Sequence, residues 1–338
     1  MSADYVVDLT ATSTGRHTRR VWLRIALPIG GVALVIAAIL LITLYSEHAN
    51  RTGALRLSED LLADLQNRIA DEVTGYFVPA MRAAREARTI AASTAITDPR
   101  AALEAFALSA LQDIPQIDAL YAGDKDGNFI MVQRGQAGGT DTKLIHNAPG
   151  PRLVRWTHRG ADGAVIAQQQ DPTDNFDPRT RGWYQGALQT DDVFWTGVYA
   201  FFTRRVPGIT AAVRIRGDDR RGVFGVDITL SVLSDFLASL RIGRSGRAAI
   251  VDEAGHVVAA ANLSRILRDP DSQIAETRVD QLDDPALTAA YDRFRVEGYG
   301  RRTIAVNGQP IVSIASRLEA TGRDWSLFIV VPEKGNVP

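Results

Sequence analysis

IDALYAGDKDGNFIMVQR, residues 117–134, sets two apolar runs, Ile117–Tyr121 and Asn128–Arg134, on either side of Gly123-Asp-Lys-Asp-Gly127. Short apolar runs about a Gly/Asp turn predict a β-hairpin. The pattern returns at AAIVDEAGHVVAA, residues 248–260, where Ala248–Val251 and His256–Ala260 flank Asp252-Glu-Ala-Gly255. Further apolar strands follow each pair at a distance. After the first come Ile209–Arg216 and Val223–Ile228; after the second come Thr303–Val306, Ile311–Ser316 and Leu327–Val331. The expectation is an α+β protein built from two copies of one small antiparallel unit, joined by a helix over Leu230–Leu240. The modules are predicted over 99–240 and 241–332, with 333–338 as a tail. Asp124-Lys-Asp126-Gly-Asn128 begins like a calcium loop, but its glycine falls two positions early and no glutamate follows at the required distance. A hairpin turn is the better account. DPTDNFD at 171–177 and RGDDRRG at 216–222 are turn-like, with Asp218–Arg221 as solvated charges at a hairpin tip.

Upstream the periodicity is helical. Leu55, Leu61, Leu62, Leu65, Ile69, Val73 and Phe77 recur at spacings of three and four, and Met81, Ala84, Ala87, Ile90 and Ala91 continue the face. A stalk helix is predicted over 47–98, with a kink or break near Tyr76–Val78 because Pro79 removes a backbone donor. A second helix is predicted over Pro99–Leu111. The stalk can carry motion or pair with a second copy, or simply pack along its own domain. Before it, Ile25–Tyr45 reads IALPIGGVALVIAAILLITLY without a charge. A helix of that length is about 31 Å long, which matches the bilayer hydrocarbon. Arg16, Arg19, Arg20 and Arg24 precede it, and mixed charges follow. The arginines predict a cytoplasmic N-terminus, a transmembrane helix over 21–46, and a sensor domain on the periplasmic or extracellular side of the inner membrane. LITLYSEHANR offers a poor cleavage site, so an uncleaved anchor is expected rather than a signal peptide. Residues 1–20 are polar and aperiodic and read as a disordered cytoplasmic tail.

The composition is globular: 46% hydrophobic, 23% charged, formal net charge −1 over 338 residues. That balance gives no reason to expect nucleic acid. The absence of cysteine excludes disulfide scaffolds, thiol catalysis and thiolate metal sites. The five histidines, His17, His48, His146, His158 and His256, have no metal-ligand spacing, and no hydrolase, P-loop or dinucleotide fingerprint occurs. No enzyme, metal or cofactor is expected.

The distinctive stretch is Phe176-Asp-Pro-Arg-Thr-Arg-Gly-Trp-Tyr184, followed by Trp195-Thr-Gly-Val-Tyr199 and Gly225-Val-Asp-Ile228. Arg181 offers a planar, always-charged fork suited to a carboxylate. Trp183 and Tyr184 offer aromatic walls with polar handles, Tyr199 adds a hydroxyl, and Asp227 can accept from an ammonium. Such a set suits a small zwitterion. Equally, Asp177-Pro-Arg179 can be a turn closed by Arg179 or Arg181, the aromatics can be core, and Asp227 can cap the helix starting near Thr229.

In these motifs, and in the closing Asp324–Pro332, the sequence resembles the double-Cache family of bacterial extracytoplasmic sensors over roughly residues 47–332. The resemblance implies two tandem PAS-like modules on a stalk helix, ahead of a chemoreceptor, kinase or cyclase output. In the subset that binds α-amino acids, the residues matching Arg181 and Trp183 meet the carboxylate, and those matching Tyr184, Tyr199 and Asp227 meet the ammonium. That subset has a tyrosine where this chain has Phe176, so a carboxylate-binding hydroxyl is missing. The ligand is expected to be an amino acid or another small amine or carboxylate. Further expectations are a homodimer through the stalk and, with the chain stopping six residues after Pro332, either a truncated or split receptor or a sensor that works through a separate signalling protein. The competing reading is a ligand-free Cache fold that binds a partner protein.

Overall fold

A single helix, α1, runs without interruption from Gly15 to Ala92. The computed structural model describes residues 15–93, 98–147, 151–216, 222–242, 245–261, 263 and 277–332. The chain divides into two compact units, Met1–Asp64 and Leu65–Pro338.

In the first unit the helix begins at Gly15, inside the segment expected to be a disordered tail; residues 1–14 of that tail lie outside the described residues. Once a helix has nucleated, each added residue gains a hydrogen bond, so an apolar helix extends readily into a polar flank. Leu34, Val35, Ile36, Ile39, Leu40, Leu41 and Ile42 are all more than half exposed. Among the described residues, no helix is long and apolar enough to cross a membrane. The expected span lies on α1, with the side chains of 25–30, 32, 33, 44 and 45 outside the described residues.

In the second unit α1 shows no break where a kink or break was expected. It passes through Pro79 as helix, because Phe77, Ala80, Ala83 and Ala84 on both sides of the proline are at most 1% exposed. Their burial outweighs one lost hydrogen bond and its local clash. Ile69, Val73, Phe77, Ala80, Ala84, Ala87 and Ala91 form one stripe, and it is buried within the unit. Asp98 caps α2 (Pro99–Asp113), accepting from Arg100 and Ala101 amides at 3.1 Å.

The larger sheet contains β1 (Ala119–Asp124), β2 (Phe129–Arg134), β3 (Thr140–His146), β4 (Leu153–Arg159), β5 (Val165–Gln170), β6 (Phe194–Trp195), β8 (Pro207–Ile215) and β9 (Gly222–Thr229) in the order β5-β4-β3-β2-β1-β9-β8-β6. Strand β7 (Tyr199–Ala200) also pairs with β8, and α3 (Gly182–Ala187) packs on the sheet. Helix α4 (Leu230–Ser239) leads to the second sheet: β10 (Arg247–Val251), β11 (Val257–Ala260), β12 (Gly300–Val306), β13 (Gln309–Arg317) and β14 (Ser326–Pro332), in the order β11-β10-β14-β13-β12. Helix α5 (Pro285–Glu297) packs on β12, β13 and β14. All pairings are antiparallel.

Setting aside β3–β5 and β7, the first sheet runs β2-β1-β9-β8-β6. Both sheets therefore have the order 2-1-5-4-3 in their own strand numbering, a topological repeat. The predicted hairpins are β1–β2 and β10–β11. The Asp124 carboxylate closes the first by accepting from the amides of Asp126 and Asn128, both at 2.9 Å, which is a hairpin turn. The expected tip at Asp218–Arg221 lies outside the described residues, as does the tail 333–338.

Phe77 joins the helix to both sheets. Its ring meets Trp195 of β6 edge-on at 5.3 Å and lies 6.3 Å from Trp325, next to β14. All three side chains are at most 1% exposed. Replacing Phe77 by Ala should cost about 3–5 kcal/mol, the usual range for a buried phenylalanine. Urea denaturation of the full chain measures it, and a loss below about 1 kcal/mol would mean that the junction does not hold the unit together.

Candidate functional site

The site forms on the middle strands of the larger sheet. Asp227 on β9 stands opposite Ala119 of β1 and Thr210 of β8, and Ala119 in turn stands opposite Gln133 of β2. Directly opposed residues share a face, so these four make one row. The next row on that face is Met131, Tyr121, Gly225 and Ala212. Gly225 is required there: a Cβ at that position would lie 2.2 Å from the Tyr121 ring, which packs directly on the strand. So placed, the Tyr121 hydroxyl donates to Asp227 Oδ1 at 2.5 Å. The Thr210 hydroxyl donates to the same oxygen at 2.6 Å, and Tyr199 bonds to Thr210 at 2.6 Å.

Burial pushes the Asp227 carboxyl up to about 8 from its ordinary 3.8. The Thr210 and Tyr121 hydroxyls pull the other way, and the Asp118 charge adds to the rise. The same burial, with Asp227 beside them, holds Tyr121 and Tyr199 above the ordinary phenol range. Asp227 does not cap α4; Thr229 does, accepting from the Val232 amide.

The 176–184 stretch supplies the opposite boundary. Asp177 accepts from the Arg179 amide at 2.9 Å and pairs with its guanidinium at 2.7 Å, so the Arg179 side chain closes the turn Pro178–Thr180. Pro178 packs on Gly123, where a Cβ would lie 2.6 Å from the ring. The turn therefore docks on β1 and presents Arg181. Among the described residues the Arg181 guanidinium has no hydrogen bond or ion pair. It lies 5.8 Å from the Phe176 ring and 5.5 Å from the Phe202 ring. Trp183 lies 4.8 Å from Tyr121.

Phe176, Arg181, Trp183, Tyr199 and Asp227 line one narrow cavity of about 30 Å³. Tyr184 does not line it. That side chain is buried beside Trp183, with ring centroids 5.6 Å apart. Behind Phe176 lies the buried Lys143–Asp174 ion pair at 2.5 Å, whose Asp174 also accepts from the Phe176 amide at 2.9 Å. The lysine Nζ is 5.1 Å from the Phe176 ring. Sequence reasoning missed Tyr121, Thr210, Asp118, Arg204 and Phe202. Asp118 and Tyr121 sat inside a run read only as a strand, although a carboxylate amid apolar neighbours is itself a signal.

Two antiparallel sheets of one strand order, the larger with an aromatic cavity lined by both charge types, define an α+β protein of two tandem modules. The chain belongs to the Cache-domain family in its double form, whose sequence model matches residues 53–335. Adenylate cyclase 1 of Rhizobium meliloti (strain 1021) is 27% identical over 158 residues, covering 43% of this chain and 24% of that protein. Methyl-accepting chemotaxis protein McpA of Pseudomonas putida is 29% identical over 140 residues, covering 40% and 22%. The chain thus spans about a quarter of the length of the curated relatives it matches. Among solved structures, the ligand-binding domain of Campylobacter jejuni chemoreceptor Tlp3, in complex with 4-methylisoleucine, has a TM-score of 0.53 at 19% identity. It covers 81% of this chain and 91% of its own, a likeness of fold.

The raised Asp227 carboxyl has a thermodynamic consequence. Between about pH 4 and pH 8 the folded state keeps a proton that the unfolded state has lost, so this group's stability is lost as pH rises through 8. The ligand-free chain should be less stable at pH 8.5 than at pH 5.5, by about 2–5 kcal/mol from this group. Asp227→Asn should flatten the slope. Chemical denaturation across that range checks it, and equal slopes in both proteins would refute the assignment.

Proposed function

We propose that residues 65–332 are the sensor module of a bacterial signal-transduction receptor, and that the cavity takes a small amine or carboxylate, an α-amino acid in the first instance. One observation carries the reading. A guanidinium without a hydrogen bond or ion pair among the described residues, Arg181, and a carboxyl held by two hydroxyls, Asp227, share one aromatic cavity. A ligand carboxylate matches the Arg181 fork and an ammonium matches Asp227. Trp183 and Tyr199 wall the space between chemistries. Phe176 supplies apolar surface where a tyrosine would supply a donor, so Arg181 carries more of the carboxylate recognition.

The complex of the Tlp3 domain with 4-methylisoleucine is in keeping with this reading, on a shared fold. The match of the sensor region to both a cyclase and a chemotaxis protein leaves the output open to either class. The reading also includes a single membrane helix over 21–46, supported by the fully apolar run Ile25–Tyr45 and by its bare Leu34–Ile42 surface. The N-terminus is then cytoplasmic and the sensor periplasmic. A homodimer through the stalk would have to use faces of α1 other than the stripe from Ile69 to Ala91, which is already buried.

The test is calorimetry on the full chain with amino acids, amines and small carboxylates, beside Arg181→Ala. A carboxylate ligand should lose about 10–100-fold in affinity in that variant. Affinity for an amine should rise from pH 6 to pH 8.5, with proton release, because the ammonium binds the ionised form of Asp227. A well-folded chain that binds nothing in the panel would transfer the cavity to the partner-protein reading.

A further inference from the structure

We infer that the cavity contains a second cation subsite at Asp118, so that the preferred ligand carries two positively charged nitrogen groups, as a basic amino acid or a diamine does. The inference rests on reading the cavity as a ligand site and narrows the ligand class. Asp118, immediately before β1, is only 7% exposed and lines the same cavity as Asp227. The two residues are neighbours across the strands, with the Asp118 amide donating to the Asp227 carbonyl at 2.9 Å. One carboxylate oxygen, Oδ1, accepts from Arg204 at 2.6 Å. The other, Oδ2, is buried and has no hydrogen-bond partner among the described residues.

Nearby cations do not fill that place. Arg134 spends its guanidinium on the carbonyls of Ile117, Leu111 and Ile114, at 2.8, 2.7 and 3.0 Å. Arg204 is already committed to Oδ1, and its side chain is 39% exposed, so solvent screens its charge. Oδ2 is already sealed from water without a donor in the empty protein, and an aliphatic ligand group beside it would leave that cost in place. A neutral donor would satisfy the lone pair and leave the charge. An ammonium or guanidinium supplies both. Burial also holds the Asp118 carboxyl above its ordinary range, with Arg204 and the Arg134 charge pulling it back. That direction fits a carboxylate whose compensation is incomplete.

The deciding experiment is calorimetry on the full chain at pH 8.5 with two matched pairs, L-ornithine against L-norvaline and L-lysine against L-norleucine. Members of each pair differ at the end of the side chain, where only the basic one carries an ammonium. Putrescine and cadaverine complete the panel. At least one basic amino acid should bind about tenfold or more tighter than its neutral partner, the ratio one charge-assisted hydrogen bond supplies. Asp118→Asn should bring that ratio to within about twofold, and Arg204→Gln, which frees Oδ1, should increase it. A wild-type ratio near one overturns the subsite while leaving the amino-acid reading intact, and so does a ratio indifferent to both substitutions. If Asp118→Asn does not fold, an unchanged ratio in Arg204→Gln overturns the subsite alone. Tight diamine binding lost in the Asp118 variant supports it without any amino acid binding. A panel with no binder overturns this inference together with the reading beneath it.

Discussion

The architecture depends on a single aromatic contact on α1. Phe77 fills the space between Trp195, at the edge of the larger sheet, and Trp325, beside the central strand of the smaller one. One residue earlier on the helix, Tyr76 stacks on Phe236 of α4 at 4.1 Å, so the linker between the sheets is held by the same turn. Two sheets that each bury one face can drift relative to one another unless something packs against both. A helix spanning them does so most firmly where its side chains are large and fully enclosed. The indole Nε1 atoms of Trp195 and Trp325 have no hydrogen-bond partner among the described residues. Leaving two buried donors unpaired costs stability, and their retention indicates how much the ring packing contributes.

From that junction the contacts run to the site without a gap. Trp195 precedes Thr196, whose hydroxyl accepts from the Thr210 amide at 2.9 Å, and Thr210 holds Asp227. Contiguity of this kind fixes geometry; it does not by itself establish energetic coupling, which needs an element with two arrangements. It does explain the location of the cavity. The groups that must be rigid come from β1, β8 and β9, the central strands, while Arg181 and Trp183 come from a turn docked onto β1 at Gly123. Recognition groups on strands are held more tightly than groups on free loops.

The two hairpins and the linking helix were legible in the sequence because each shows a clean period and ordinary turn chemistry. Strands β3, β4 and β5 were not. Val165–Gln170 is exposed at every position, and Thr140–His146 and Leu153–Arg159 mix polar and apolar residues, so no apolar run announces them. Their reality comes from pairing with β2, a long-range property. The helix through Pro79 misled in the opposite direction: a local breaker was overruled by burial on both sides. Of the motif residues read from the sequence, Phe176, Arg181, Trp183, Tyr199 and Asp227 come together at one cavity. Tyr184, adjacent to Trp183, points elsewhere, because neighbours on a helix diverge by about 100°. The partners of Asp227 were invisible because Tyr121 and Thr210 reach it only through strand register.

A cavity of this kind is a liability in the empty protein. Asp118 and Asp227 are both desolvated and both held above the ordinary carboxyl range, and the Asp118 charge adds to the cost of ionising Asp227. Apolar residues of similar volume would make the sheet more stable, as replacing buried charges often does. They would also leave nothing for a ligand to satisfy. Uncompensated buried charge converts ligand binding into a change of several interactions at once: desolvation, proton occupancy and hydrogen bonding at two carboxylates. Because a ligand can shift an equilibrium only by its differential affinity for the two states, a receptor gains signal by starting from a poorly satisfied site. On the function proposed above, the two desolvated carboxyls that share the cavity with Arg181 are therefore where this fold has most to exchange with a ligand.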